Sequence, residues 1–111
     1  MPHLVISYAK TLESEMEIKP LVQTVWQAAE KSGLFTPKAI KARALPFDDY
    51  VTGGTDQTFI HVEVRLFAGR TEEQKAALVK GIYDAMKAAV SPDISLSVEA
   101  RDMNKATYIK D

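Results

Sequence analysis

Few residues in this chain could carry chemistry, and their types narrow what that chemistry would be. There is no cysteine, which removes thiolate nucleophiles, thiolate metal ligands and disulfides. The two histidines, His3 and His61, lie far apart without a ligand cluster, so no metal site is expected. Pro2 follows Met1. A small second residue permits removal of Met1, and Pro2 would then present an amine on a rigid ring. An α-amine titrates near ~7.7–8.0, far below lysine. Burial and neighbouring cations lower it further, because both disfavour the charged form. By position alone, however, Pro2 also reads as the ordinary second residue of an edge strand. Arg70 could grip a carboxylate through two bonds. It stands just before a helix start, whose free amides also favour an anion; the plainer reading is a solvated loop arginine.

These residues need elements to position them. Residues 3–8 read as a strand, β-branched and mostly apolar. A polar stretch follows from Ala9 to Lys19. Pro20 suits the first turn of a helix, along which Val22, Val25, Trp26 and Ala29 recur at helical spacing. Ser32-Gly33 closes it. Residues 38–45 read as a second strand, with Ile40, Ala42 and Ala44 on one face and Lys41 and Arg43 on the other. Residues 46–57 read as a surface loop carrying Asp48-Asp49 and Gly53-Gly54. Residues 58–67 form the clearest strand. Ile60, Val62, Val64 and Leu66 share one face, and Phe59, His61, Glu63 and Arg65 the other.

Thr71 and Gln74 predict a capping box, and Glu72 and Glu73 in the first turn suit the helix dipole. Leu78, Ile82, Ala85, Met86 and Ala89 make the apolar stripe of a helix over 72–90, ended by Ser91-Pro92. Residues 94–100 alternate as a fourth strand. A tail over 103–111 could pack on a neighbour. Trp26 reads as core, His3 and His61 as packed or interface side chains, and Glu63–Arg65 as a surface or interface ion pair.

The element order is strand-helix-strand, loop, strand-helix-strand. Pro2-His3-Leu4-Val5-Ile6 lines up with Ile60-His61-Val62-Glu63-Val64, so the chain reads as two pseudo-repeats, about 2–46 and 59–104, within a single domain over 1–111. A right-handed crossover in each unit puts both helices on one side. The expected fold is α+β: two tandem β-α-β units forming a four-stranded sheet, with the other face left to oligomerise. The 111 residues suit one domain whose small core often gains from assembly. A net charge of −1 offers no basic excess for nucleic acid. No apolar stretch approaches the roughly 20 residues of a membrane helix, and no signal peptide is visible. The lack of cysteine suits a reducing cytoplasm.

The Met1-Pro2-His3 start, the duplicated strand-helix-strand order, Gly33-Leu34-Phe35 and Ala68-Gly69-Arg70-Thr71-Glu72-Glu73-Gln74-Lys75 together resemble the tautomerase superfamily. The second half, from Phe59 to about Met103, is similar to its short single-unit members. Nearly the whole chain resembles the family of 5-carboxymethyl-2-hydroxymuconate isomerases, in which two units are fused. Tautomerisation needs one base of near-neutral pKa and positive groups where charge builds up.

The resemblance implies that Pro2 is the general base once Met1 is removed, and that Arg70 binds a substrate carboxylate. The family's second arginine falls on Lys41 in this sequence, with Arg43 two residues on along the same strand face. Lysine offers a point charge where arginine offers a fork, so either Lys41 or Arg43 would hold the second carboxylate, or that subsite is altered. The implied activity is a cofactor-independent keto-enol tautomerisation of an unsaturated hydroxy- or oxo-dicarboxylic acid by a homotrimer. Two alternatives stand beside it. One keeps the fold but changes the reaction, to dehalogenation or hydration. The other is a non-catalytic trimeric binding module.

Overall fold

The computed structural model describes residues 1–111. Strands β1 (His3–Ala9), β2 (Lys41–Phe47), β3 (Phe59–Phe67) and β4 (Ser95–Met103) form one sheet in the order β2-β1-β3-β4. Helix α1 (Ile18–Lys31) crosses from β1 to β2, and α2 (Glu72–Ala89) from β3 to β4. The pairs β1–β2 and β3–β4 are parallel, and the two units meet through antiparallel β1–β3. This is the expected tandem β-α-β architecture. The central register pairs His3 with Arg65 and Ser7 with His61. The repeat alignment maps His3 onto His61 and Ser7 onto Arg65, so each pair maps onto the other and the pseudo-symmetry centre falls on the Val5–Glu63 pair.

Strand alternation decides which face is buried. Leu4, Ile6 and Tyr8 of β1 and Ile60, Val62, Val64 and Leu66 of β3 join Leu21, Val25 and Ala29 of α1 and Leu78, Ile82 and Met86 of α2 in one core. Burying each large side chain contributes about 1.5–3 kcal/mol before chain entropy is counted. The capping box at α2 forms as expected: Gln74 N donates to Thr71 Oγ1 at 3.1 Å, and Thr71 N to Gln74 Oε1 at 2.9 Å. No buried polar side-chain atom lacks a partner.

The second strand departs from the expected 38–45. Pro37 opens a short 3-10 turn over Pro37–Ala39, and Ile40 N closes it on Pro37 O at 3.1 Å. Pairing with β1 therefore starts at Lys41 and runs on through Pro46 to Phe47. An edge strand needs hydrogen bonds on one side only, which is how it tolerates Pro46. The fourth strand also outruns its expected end at residue 100, because β3 offers partners as far as Phe67, opposite Met103. The polar stretch after β1 opens with a 3-10 turn, Lys10–Ser14, that buries Leu12. Gly53 and Gly54 form a two-residue turn with φ of 57° and 82°, conformations suited to glycine. Thr52 and Thr55 exchange both backbone bonds across it.

The opposite sheet face carries no helix. Leu45 is 55% exposed and Phe47 39%. Beside them stand charged and polar groups in contact: His61 bridges Ser97 Oγ and Glu99 Oε2, each at 2.7 Å, and Glu63 pairs with Arg65 and Arg101.

Candidate active site

β1 is a central strand, and the residue that precedes it is held by the same ladder. Pro2 is buried, and its carbonyl accepts from Lys41 N at 3.0 Å. That bond extends the parallel β1–β2 pairing by one residue and puts Lys41, opposite His3, next to the amino end. The chain just before Lys41 is also tied to α1, because Trp26 Nε1 donates to Ile40 O at 3.0 Å. Trp26, expected as core, packs against the core and pins the start of β2 as well.

Arg70 reaches the same end of the sheet from the link between β3 and α2. Gly69, at φ 127°, turns the chain there in a conformation that side chains disfavour. Arg70 Nη2 donates to Leu34 O at 2.7 Å, and its guanidinium carbon lies 5.1 Å from the centre of the Phe35 ring. One hydrogen bond uses one of five N–H donors.

The electrostatics converge on the amino end. In this chain the amine belongs to Met1, and the Pro2 nitrogen is an amide. Burial first, then Lys41, Lys110 and Arg70, hold the Met1 amine below its ordinary value of 8.0. Both burial and positive neighbours disfavour the ammonium form, so the field favours a neutral amine able to accept a proton.

Arg43 behaves differently from Lys41. It faces His3, and its Nη1 lies 3.0 Å from His3 Nδ1. A guanidinium can only donate, so Nδ1 accepts. Nε2 then carries the hydrogen and donates to Tyr108 Oη at 2.8 Å. Burial, then Arg43 and Lys41, keep the His3 pKa below its ordinary value, favouring this neutral form. The structure thus brings Lys41 and Arg70 to the amino end and turns Arg43 toward His3.

The tail, expected to pack on a neighbour, places Tyr108 against His3 of its own chain, and Lys110, which the sequence pattern did not single out, is among the cations lowering the Met1 amine. The tail has no periodicity, and the bond from Tyr108 to His3 joins opposite ends of the chain. The Tyr108 ring packs edge-on against both His3 and Phe67, at 5.8 and 5.4 Å between centres. His61, at the repeat position of His3, lies in the open-face network instead. No group of three or more His, Cys, Asp or Glu residues is placed to hold a metal ion. No helix is long and apolar enough to cross a membrane.

An amine of lowered pKa ringed by cations is an arrangement for proton transfer on an anionic substrate. Comparisons with known proteins bear on the family and the fold. No curated protein matches this sequence. Solved structures do. A 5-carboxymethyl-2-hydroxymuconate delta-isomerase superposes with a TM-score of 0.78 at 20% identity, covering 100% of this chain and 87% of that one. A 5-carboxymethyl-2-hydroxymuconate isomerase from Deinococcus radiodurans R1 gives 0.76 at 25% identity, over 99% and 88%. A fused 4-OT wild-type symmetric trimer gives 0.76 at 23% identity, over 94% and 87%. The family model for 5-carboxymethyl-2-hydroxymuconate isomerase matches residues 2–111. On that match the chain belongs to the 5-carboxymethyl-2-hydroxymuconate isomerase family, and its function is of the isomerase or tautomerase type.

Proposed function

We propose that this protein is a cofactor-independent keto-enol tautomerase for an unsaturated hydroxy- or oxo-dicarboxylic acid, of the 5-carboxymethyl-2-hydroxymuconate kind. The Pro2 amine, freed by loss of Met1, takes the proton from one position of the conjugated acid and returns it at another. Arg70 binds one carboxylate and Lys41 the other, while Arg43 acts through His3. The observation that carries this reading is the convergence of Lys41 and Arg70 on a partly buried amine whose pKa they depress. A neutral amine is the competent base, and the same cations stabilise the negative charge that builds up on the substrate. The open sheet face, with exposed Leu45 and Phe47, supports assembly as a homotrimer, the state of the fused 4-OT structure. The cysteine-free sequence suits a reducing compartment, and we place the trimer in the cytoplasm.

The test takes untagged protein, measures its intact mass, and follows 2-hydroxymuconate and its 5-carboxymethyl homologue by ultraviolet absorbance. The reading expects a mass short by one methionine and turnover that falls about 10²–10⁴-fold in Pro2→Ala. Met1 retained without turnover of either acid would overturn it and favour a binding module. The lysine at position 41 favours a second reading, a different reaction such as dehalogenation or hydration on the same scaffold. A point charge orients a carboxylate less strictly than a fork. Activity on monocarboxylates with none on dicarboxylates would select that reading.

A further inference from the structure

His3 and His61 hold equivalent places in the two β-α-β units, yet the fold gives them opposite partners. Lys41 and Arg43 of β2 stand opposite His3 and Val5 of β1. Ser97 and Glu99 of β4 stand opposite His61 and Glu63 of β3 in the same way. Arg43 and Glu99 are therefore counterparts of opposite charge. Glu99 Oε2 lies 2.7 Å from His61 Nε2. A carboxylate accepts, so His61 donates to its neighbour. Arg43 Nη1 lies 3.0 Å from His3 Nδ1. A guanidinium donates, so His3 must accept.

Accepting there leaves the hydrogen of His3 on Nε2, and Tyr108 receives it, with its hydroxyl 2.8 Å away. The tail holds Tyr108 in place. Asn104 caps a 3-10 turn over Lys105–Thr107 by accepting from Ala106 N at 3.0 Å, and the Tyr108 ring packs edge-on against Phe67 and His3. The bond to His3 is the one that Arg43 makes with its side chain. Glu63, on the same sheet face, already takes Arg65 and Arg101. Arg43 shares its strand face with Lys41, whose amide bonds Pro2 O at 3.0 Å. Two residues along a strand separate them by ~6.6 Å, a span that an arginine side chain covers. A free Arg43 would present its fork beside Lys41 at the amino end, and Arg43 bonded to His3 does not.

We propose that His3 and Tyr108 determine which cation meets the second carboxylate: together they draw Arg43 aside and leave that role to Lys41. His3 acts by accepting from Arg43. Tyr108 is a positioning residue that acts through His3, because it satisfies the Nε2 hydrogen that the arrangement requires. The inference rests on the tautomerase reading of the site, and equilibrium binding tests it apart from turnover.

Two measurements on the full-length protein decide it. Nitrogen resonances of ¹⁵N-histidine-labelled protein, assigned against His3→Phe, report which ring nitrogen of His3 carries the hydrogen. It should be Nε2, and a hydrogen on Nδ1 overturns the proposal. Calorimetry then compares cis,cis-muconate, a dicarboxylate without the enol that tautomerises, with sorbate, a monocarboxylate of similar shape. His3→Phe keeps a ring against Tyr108, adds no charge and frees Arg43. It should tighten muconate about tenfold, the gain of one charge-assisted contact, and leave sorbate unchanged. Adding Arg43→Gln should cancel the gain. Tyr108→Phe leaves the Nε2 hydrogen facing an apolar ring, which weakens the arrangement. It should give a smaller gain, and it carries the test if His3→Phe does not fold. A purely structural role would weaken both acids alike. No gain for muconate in a folded variant, or a gain that survives Arg43→Gln, overturns the proposal. A gain in protein that turns over neither 2-hydroxymuconate nor its 5-carboxymethyl homologue upholds the role of His3 and overturns the tautomerase reading.

Discussion

Replacing Arg70 by alanine should separate catalysis from stability in one variant. The structural loss is small. Arg70 gives one hydrogen bond to Leu34 O and one contact with the Phe35 ring. On a part-exposed side chain these amount to about 1–2 kcal/mol together. The catalytic loss should be larger. Two charge-assisted bonds to a carboxylate are worth about 3–4 kcal/mol, which is a fall of about 10²–10³ in kcat/KM. Arg70→Lys keeps the charge and loses the fork, so it should fall between wild type and Arg70→Ala. Arg70 is also one of the cations holding the amine pKa down. Its removal raises that pKa, so more of the base is protonated at a given pH. The acid limb of the kcat/KM profile should therefore move to higher pH. The assay is the ultraviolet pH–rate profile of both variants, with urea denaturation alongside. Arg70→Ala with unchanged kcat/KM and an unmoved acid limb, while denaturation registers the lost Leu34 bond, would refute the placement of Arg70 in the site.

Other perturbations test the surroundings. Arg43→Gln should raise the His3 pKa, read from the imidazole proton resonances. That pKa is depressed, so the folded chain binds fewer protons than the unfolded one below the ordinary 6.5. Stability is then lost as pH falls through the window from 6.5 down to the folded pKa. Arg43→Gln should narrow that window, and a His3 titration that does not move would contradict the Arg43–His3 bond. Ile82→Ala removes a fully buried α2 side chain and should cost about 2–5 kcal/mol in denaturant unfolding; a loss under about 1 kcal/mol would mean that α2 does not pack as described. Leu45→Asp puts a charge on the open face. Light scattering should show a trimer for the wild type and 12.3 kDa monomers without turnover for the variant. Active monomers would show that the site does not need assembly.

The sequence by itself determined the element order. Strand alternation in β3, the helical stripe of α2 and the Thr71–Gln74 capping box are local patterns, set by side chains within a few positions of one another; the alternation and the box appear as expected, and of the stripe Leu78, Ile82 and Met86 are buried while Ala89 is exposed. The limits of β2 were not local. Ile40 and Ala42 alternate as a strand would, but the start depends on the Pro37 turn and on how β1 is aligned beside it, and the run through Pro46 depends on β2 lying at the sheet edge. Trp26 was legible as a packed residue, while its bond to Ile40 O required the helix to sit on the sheet.

The candidate site divides in the same way. Pro2, Lys41, Arg43 and Arg70 could be singled out from residue type and family pattern. Which cations meet the amine could not, because Lys41 and Arg43 are both cations on one strand face and what the fold sets beside each decides between them. The β1–β2 register puts Lys41 next to the amino end, and Arg43 turns to His3. Tyr108 bonds His3 from the far end of the chain. Such long-range pairing leaves no periodic trace in the sequence. Local patterning therefore determined which elements form, and the tertiary structure decided which charges share a site, since electrostatic interaction depends on distance in space and not on separation along the chain.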